Sequence, residues 1–192
     1  MENRDIIVGN ESKGNQEGDS LQVSYANRGM AFEKIIEYTN KQYLQKGRAT
    51  IQKVATPWKV IRRGKKIISA YPEKKSTVDF IGVYNGRGIA FDAKSTRRNT
   101  SFSLSYVGNH QYNFLKRWHQ NGGISFLLVE FVKLNETYLL PFEGLQKWWE
   151  GAQKGGRKSI PYDYFQNECD LVKSKNGILL DYLSVIDRRK AK

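Results

Sequence analysis

The stretch "STVDFIGVYNGRGIAFDAKS", residues 76–95, constrains the fold more than any other part of the chain. Two β-prone runs flank Asn85-Gly86, a pair that is the strongest short signal for a two-residue type I′ hairpin turn. A two-residue turn fixes the register. Tyr84 then faces Arg87, and opposed residues always sum to 171. Asp79 falls opposite Asp92 and Thr77 opposite Lys94, and the period of two puts all four on one face. Like charges directly opposed on a strand pair destabilise it. Apolar neighbours sharpen the penalty by removing water. A divalent cation between the carboxylates reverses the sign, and hard oxygen ligands suit Mg²⁺ or Mn²⁺. Beside such a cation, the Lys94 ammonium can hold an attacking water or offset charge on a phosphate. The plainer alternative is an ion pair of Asp92 with Lys94 at a sheet edge, because an Asp-x-Lys tripeptide alone is a weak signal.

Charge points the same way. The 192 residues carry a net +13, yet residues 1–27 hold two basic and five acidic side chains, so the remainder carries +16. A basic body of that size suits a polyanion, nucleic acid first, with a generic basic surface as the alternative. One cysteine, Cys169, excludes an internal disulfide and a cysteine-rich metal site and fits a reducing, cytoplasmic setting. The longest apolar runs are too short to span a bilayer, so no membrane association is expected.

Along the chain, residues 1–24 read as a flexible N-terminal arm, rich in Gly, Ser, Asn and Glu. Residues 25–47 read as a helix, with Asn27 as its cap, Met30, Ile35, Ile36, Tyr43 and Leu44 as its stripe, and Gly47 as its stop. Residues 49–55 read as a strand. Pro57 and Pro72 bracket two β-like arms around Arg63-Gly64, crested by Arg62, Arg63, Lys65 and Lys66, with Trp58 at the base. Residues 41–75 contain eleven basic residues against Glu73 alone, so this hairpin reads as a protrusion. After the opening hairpin come a polar loop, a helix near 108–121, a buried strand at 124–132, its partner at 137–142 and a helix at 143–153. Residues 154–165 read as a basic loop, and "GILLDYLSVI" is an apolar stretch of unassigned type. This order implies an α/β domain with a central mixed sheet flanked by helices. The boundaries expected are one folded domain over 25–165, with its protrusion at about 56–72, and a C-terminal extension over 166–192.

Asp79 with Asp92-x-Lys94 resembles the PD-(D/E)xK nuclease motif, and the chain as a whole resembles the RecU family of Holliday junction resolvases. The residues that carry the likeness are "NRGMAFE" at 27–33, "STVDFIGVYNGRGIAFDAK" at 76–94, "TSFSL" at 100–104, "HQ" at 110–111 and "GRKSI" at 156–160, in order over roughly 26–165. The resemblance implies a restriction-endonuclease-like core and a homodimer that uses Mg²⁺, with Mn²⁺ as a substitute, to cut two opposed strands of a four-way DNA junction. It implies a metal site of Thr77, Asp79, Asp92 and Gln111, with Lys94 stabilising the transition state and Glu33 assisting. The family's usual Glu is Asp92 here, one methylene shorter. The basic hairpin matches the family's stalk, which enters the junction. The expected DNA contacts are Arg28, Arg62, Arg63, Lys65, Lys66, Lys74, Lys75, Arg97 and Arg98, and a RecA-type recombinase is a partner by family likeness.

Other residues carry less. Two histidines, His110 and His119, are too few for a zinc site and read as packing residues. The serines of "STRRNTSFSLS" have no histidine–acid partner pattern, so they read as hydrogen-bonding groups rather than nucleophiles. Trp148 and Trp149 read as core or dimer contacts rather than base-stacking platforms. Two other functions stay open at this point. One is a restriction-type endonuclease cutting duplex at a fixed sequence; the other is a non-catalytic nucleic-acid-binding protein, which leaves the opposed aspartates without a reason.

Overall fold

The computed structural model describes residues 25–72 and 77–190. Residues 1–24, residues 73–76 with Lys74 and Lys75, and the side chains of residues 25–30, Arg28 among them, lie outside the described residues. The elements run α1 (Tyr25–Gln45), β1 (Thr50–Lys53), β2 (Trp58–Arg63), β3 (Lys66–Pro72), β4 (Phe80–Tyr84), β5 (Arg87–Thr96), β6 (Ser101–Ser103), α2 (Asn109–Gln120), β7 (Ile124–Phe131), β8 (Glu136–Pro141), α3 (Phe142–Gln153), β9 (Ser159–Pro161), α4 (Tyr162–Glu168), β10 (Asp170–Val172) and α5 (Tyr182–Lys190). Six strands form one mixed sheet in the order β1-β4-β5-β7-β8-β10. Within it only β5 and β7 pair in parallel; every other neighbour is antiparallel. A parallel pair needs a long crossover, and α2 lies within it.

The central hairpin forms as its turn dictates. Asn85 and Gly86 both have positive φ, at 48° and 71°. The β4–β5 ladder runs from Tyr84↔Arg87 to Phe80↔Phe91, so the sum of 171 holds throughout. The two faces of the sheet carry separate cores. Ile89 and Phe91 of β5 face α1 and α5, packing with Ile36, Tyr43 and Tyr182. Ala90, in antiphase, faces α2 and α3 with Leu115, Leu127 and Leu145. Strand periodicity therefore puts Asp92 and Lys94 on the α2 side.

Several sequence expectations need correcting. Asn27 lies inside α1, not ahead of it. The buried stripe of α1 is Phe32, Ile36, Thr39, Asn40 and Tyr43; Ile35 and Leu44 are exposed, because they fall a step off the 3.6-residue period. The stalk turn is Gly64-Lys65, since Arg63 pairs with Lys66, and a register shift follows Ile61. Residues 154–165 are not a plain loop: β9 pairs with β6, and α4 follows directly. Residues 166–192, set apart from sequence as an extension, supply the edge strand β10 and helix α5, whose Tyr182, Leu183 and Val185 are buried against the sheet.

The stalk, β2 with β3, forms a two-stranded sheet of its own. Every residue of β2 is exposed, as are Lys65 and Lys66. Trp58, Val60 and Ile67 are exposed as well. A lone hairpin is marginal in water, and this one buries little of its surface against the rest of the domain.

Candidate active site

The main-chain ladder between β4 and β5 stops at Phe80↔Phe91. Beyond it, side chains take over the pairing. The Asp79 backbone N–H donates to Asp92 Oδ1 at 3.1 Å, and the Ala93 N–H donates to Asp79 Oδ2 at 2.9 Å. The Asp79 carbonyl accepts from Val54 N at 2.8 Å, which ties the bend to the end of β1. Two carboxylates are thus clamped across the strand pair, each by a backbone donor. Asp92 is completely buried. Its Oδ2 lies 2.5 Å from Lys94 Nζ, yet that contact is off any hydrogen-bonding direction, and Oδ2 has no aligned partner. The two groups make an ion contact without a hydrogen bond, since an ammonium attracts a carboxylate at any angle while a hydrogen bond needs alignment.

Electrostatics matches the geometry. Burial, then the neighbouring Asp92 charge, pushes the Asp79 carboxyl up to about 7, against the pull of the Ala93 N–H and the Lys94 ammonium. The clamp turns one oxygen of each acid toward the backbone, and Asp92 Oδ2 faces the Lys94 ammonium. Two adjacent hard carboxylates are a donor set that fits a divalent cation.

The structure brings together Asp79, Asp92 and Lys94. The other expected site residues stand apart to differing degrees. Thr77 lies in an exposed bend before β4, and the ladder does not extend to pair it with Lys94. Gln111 spends its Oε1 on the Gly108 N–H at 2.9 Å, where it caps the start of α2; a carbonyl oxygen keeps a second lone pair. Glu33 sits on α1 and is held by Lys53 at 2.8 Å, which also takes Glu37 at 3.0 Å. Among the described residues no three Asp, Glu, His or Cys side chains gather in one place, so Glu33 does not join the aspartate pair. Arg62, Arg63, Lys65 and Lys66 project from the stalk, and Arg97 and Arg98 are exposed just past β5.

Sequence reasoning missed Lys53. Its signal lies in strand pairing: Lys53 pairs with Phe80, one residue from Asp79, and nothing local to "TIQK" announces that. The backbone clamp was also missed, because it exists only where the ladder fails.

Known proteins share this arrangement of sequence. The model of the family described as RecU, Recombination protein U, matches residues 27–188. The chain belongs to the RecU family. The match runs past residue 165, so the likeness to RecU takes in β10 and most of α5. A protein of Pediococcus pentosaceus named Holliday junction resolvase RecU is 38% identical over 175 residues, covering 88% of this chain and 87% of its own. Proteins of the same name from Oceanobacillus iheyensis and Streptococcus gordonii are 38% identical over 170 residues and 40% identical over 172; they cover 85% and 86% of this chain, and 87% and 85% of their own. The solved structure of Archaeoglobus fulgidus Hjc, a Holliday junction resolvase, overlaps loosely, at a TM-score of 0.38 and 11% identity over 59% of this chain and 77% of that one. No described helix is long and apolar enough to cross a membrane.

Proposed function

We propose that this chain is a divalent-metal-dependent endonuclease that resolves four-way DNA junctions. The observation that carries the reading is the half-buried Asp79 beside the fully buried Asp92, clamped by reciprocal backbone donors with Lys94 against them. Membership of the RecU family and relatives named as Holliday junction resolvases support the substrate. The body's charge and the basic stalk support DNA as the ligand.

Asp79 and Asp92 would hold Mg²⁺ or Mn²⁺, and the family likeness adds Thr77 and the second lone pair of Gln111 as ligands. The ion would supply an activated water and charge neutralisation at the phosphodiester. The chain's own residues do the rest. The backbone clamp fixes both carboxylates before substrate arrives, so little reorganisation is left for the reaction. Lys94, whose side chain is 17% exposed, presents its ammonium at the open side of the pair. It orients the attacking water and offsets negative charge building on the phosphate oxygens. The half-buried position of Lys94 keeps solvent from screening that charge. Glu33 supports the site from the opposite face only through Lys53 and the β1–β4 pairing. Arg97, Arg98, Arg28 and the stalk cations, with Lys74 and Lys75 next to it, bind phosphates away from the cut.

A four-way junction offers two equivalent strands. A homodimer with closed two-fold symmetry places one site on each, which gives paired symmetric incisions. A RecA-type recombinase partner and a cytoplasmic location rest on family likeness and on the lone, buried Cys169.

The test is a cleavage assay in Mg²⁺ on a four-way junction and on a linear duplex of the same arms. The junction is expected to be cut in preference. Lys94→Ala is expected to bind the junction normally and lose about 10²–10³-fold in cleavage rate, the typical effect of removing one transition-state charge partner. Normal cutting by that variant removes Lys94 from the mechanism. Cutting of duplex at a fixed sequence, with no preference for the junction, favours a restriction-type enzyme. Salt-sensitive DNA binding without Mg²⁺ or Mn²⁺ binding by calorimetry favours a non-catalytic binding protein.

A further inference from the structure

A second feature lies on the same face of the sheet as Asp92 and Lys94. A cavity of about 810 Å³ opens between the C-terminal half of α3, the loop before β9 and the turn that leads from β6 into α2. Its size falls within the range of small-ligand sites, about 300–1,000 Å³. Ser103, Ser105, Asn109, Trp149 and Lys158 line it, with Leu104 and Val107 at its floor, and no acidic residue is among the described residues lining it.

Trp149 is the informative member. Its indole stacks on Tyr112, with ring centres 4.6 Å apart and planes 10° from parallel. Tyr112 is 5% exposed and does not line the cavity, so it backs the indole from the core side. Trp149 is half-buried, so it lines the cavity while its indole rests on the buried Tyr112 ring. The sequence reading of Trp149 as a core contact describes its stacking on Tyr112 and leaves its exposed part free for a ligand.

The polar groups around it are neutral or cationic. The Ser103 and Ser105 hydroxyls lie 2.8 Å apart; one donates to the other, which leaves a hydroxyl proton and acceptor lone pairs for a ligand. Lys158 is exposed and makes no ion pair among the described residues. Its carbonyl accepts from Leu104 N at 3.1 Å, and Ser103 pairs with Ser159 across β6–β9. The lysine is therefore anchored beside the serines by backbone bonds. An aromatic platform, neutral hydrogen-bonding groups, a lysine and no carboxylate together make the set used to seat an unpaired nucleotide. A basic peptide would find no counter-charge there.

Position decides which nucleotide. β6 begins five residues after β5 ends, and Asn109 of the cavity opens the same turn of α2 as Gln111, so the chain ties the cavity to both the Lys94 strand and the Gln111 helix start. We propose that this cavity takes one unpaired nucleobase of the DNA strand beside the scissile phosphate, stacked on Trp149 as a third layer over Tyr112, with Lys158 on its phosphate and Ser103, Ser105 and Asn109 on its base edge. The proposal rests on the nuclease reading and adds how the nucleotide next to the cut is chosen. Bases near a branch point are easier to unstack than those within a duplex, so a pocket of this kind favours branched DNA and particular bases at one position.

The experiment uses the unaltered protein and junctions in which 5-iododeoxyuridine replaces single nucleotides, one at a time, on either side of the cut. Divalent metal is left out so that the strands stay intact. Irradiation couples this base to an aromatic ring stacked on it, and mass spectrometry locates the link. The expected result is a link to Trp149 from one position adjoining the cut, and none from linear duplex. Trp149→Leu is expected to flatten the base preference at that position by roughly tenfold, within the span set by loss of one stacked base, and Trp149→Phe is expected to retain it. Lys158→Gln, which alters no packed ring, is expected to lower the yield of the link. A junction that is bound and cut, yet gives no link to Trp149 from any position, overturns the pocket alone. A junction that is neither bound nor cut overturns the nuclease reading and the pocket with it.

Discussion

Replacing Asp79 with asparagine is expected to raise the stability of the metal-free protein while abolishing cleavage. In the folded chain the Asp79 carboxyl is pushed up to about 7 from 3.8. The folded state therefore keeps a proton across the range from about 4 to about 7, where the unfolded chain has released it. Stability contributed by that proton is fully present below the ordinary carboxylate value and is lost as pH rises through 7. At about 1.36 kcal/mol for each pH unit separating the two values, the loss above pH 7 reaches on the order of 4 kcal/mol at most. Part is recovered as the pair relaxes, which leaves roughly 2 kcal/mol as a working figure. The asparagine of Asp79→Asn carries no charge at any of these pH values. Its side-chain oxygen still accepts from the Ala93 N–H, and its amide can donate to Asp92. The assay is thermal unfolding in chelator at pH 5 and pH 8, for both proteins. For a chain of this size about 1 kcal/mol shifts Tm by roughly 2–4 °C. The variant is thus expected to melt about 4–8 °C above the unaltered protein at pH 8, with the gap closing at pH 5. Adding Mg²⁺ is expected to raise the Tm of the unaltered protein alone, because only it has both carboxylates to bind the ion. A variant that melts lower than its parent at pH 8, or a gap that ignores pH, would refute the view that the two acids are held together against their own repulsion.

Three further outcomes are expected. Replacing Arg62, Arg63, Lys65 and Lys66 by glutamine is expected to weaken junction binding more than duplex binding and to flatten the salt dependence, by a slope of up to about 3–4 if all four meet phosphates; equal loss on both DNAs in a gel-shift titration argues against a stalk. Gly82→Ala places a methyl 2.1 Å from Thr50 O and 2.6 Å from the Ile51 Cα, so β1 must shift off β4. The expected loss is at least about 2–3 kcal/mol by urea unfolding, and a neutral result contradicts the β1–β4 register. Asp181 is pushed up by burial, but the Ser184 and Tyr43 hydroxyls and the Arg48 guanidinium outweigh this and hold its carboxyl below the ordinary value. Its contribution is present above about pH 4 and fades as pH falls through the lower folded value. Asp181→Asn is then expected to cost about 3 kcal/mol at pH 7, as for a broken buried pair, and far less at pH 2–3; an equal cost at both sinks the linkage.

Much of the site was legible in the sequence because one local device governs it. Asn85-Gly86 demands positive φ twice, a two-residue turn has one register, and a strand has one period. Those three constraints placed Asp79 across from Asp92 without any tertiary information. The same logic overreached at Thr77, because it assumed that the ladder continues. It does not continue past Phe80, and carboxylates take the place of backbone partners there. Gln111 and Glu33 show a different limit. Family likeness implied Gln111 as a metal ligand and Glu33 as an assisting residue; the sequence could not show that one also caps α2 and the other is held by Lys53, because both contacts depend on where α1 and α2 dock. Elements as short as β6, β9 and β10 have no sequence period to read. They exist because neighbouring segments complete their hydrogen bonds.

Sequence alone thus determined the charge of the body, the central hairpin and its register, and the residue types that gather at its open end. Tertiary structure alone decided that Asp92 would be fully buried against Lys94, that residues 170–190 would close the sheet and one core, and that Trp149, stacked on Tyr112, would line a cavity. The division has a physical cause. Turn geometry and strand period act over a few residues, and can be read from them. Burial, desolvation and the orientation of a stacked ring are set by what packs around a residue, and in this chain those partners lie tens of residues away.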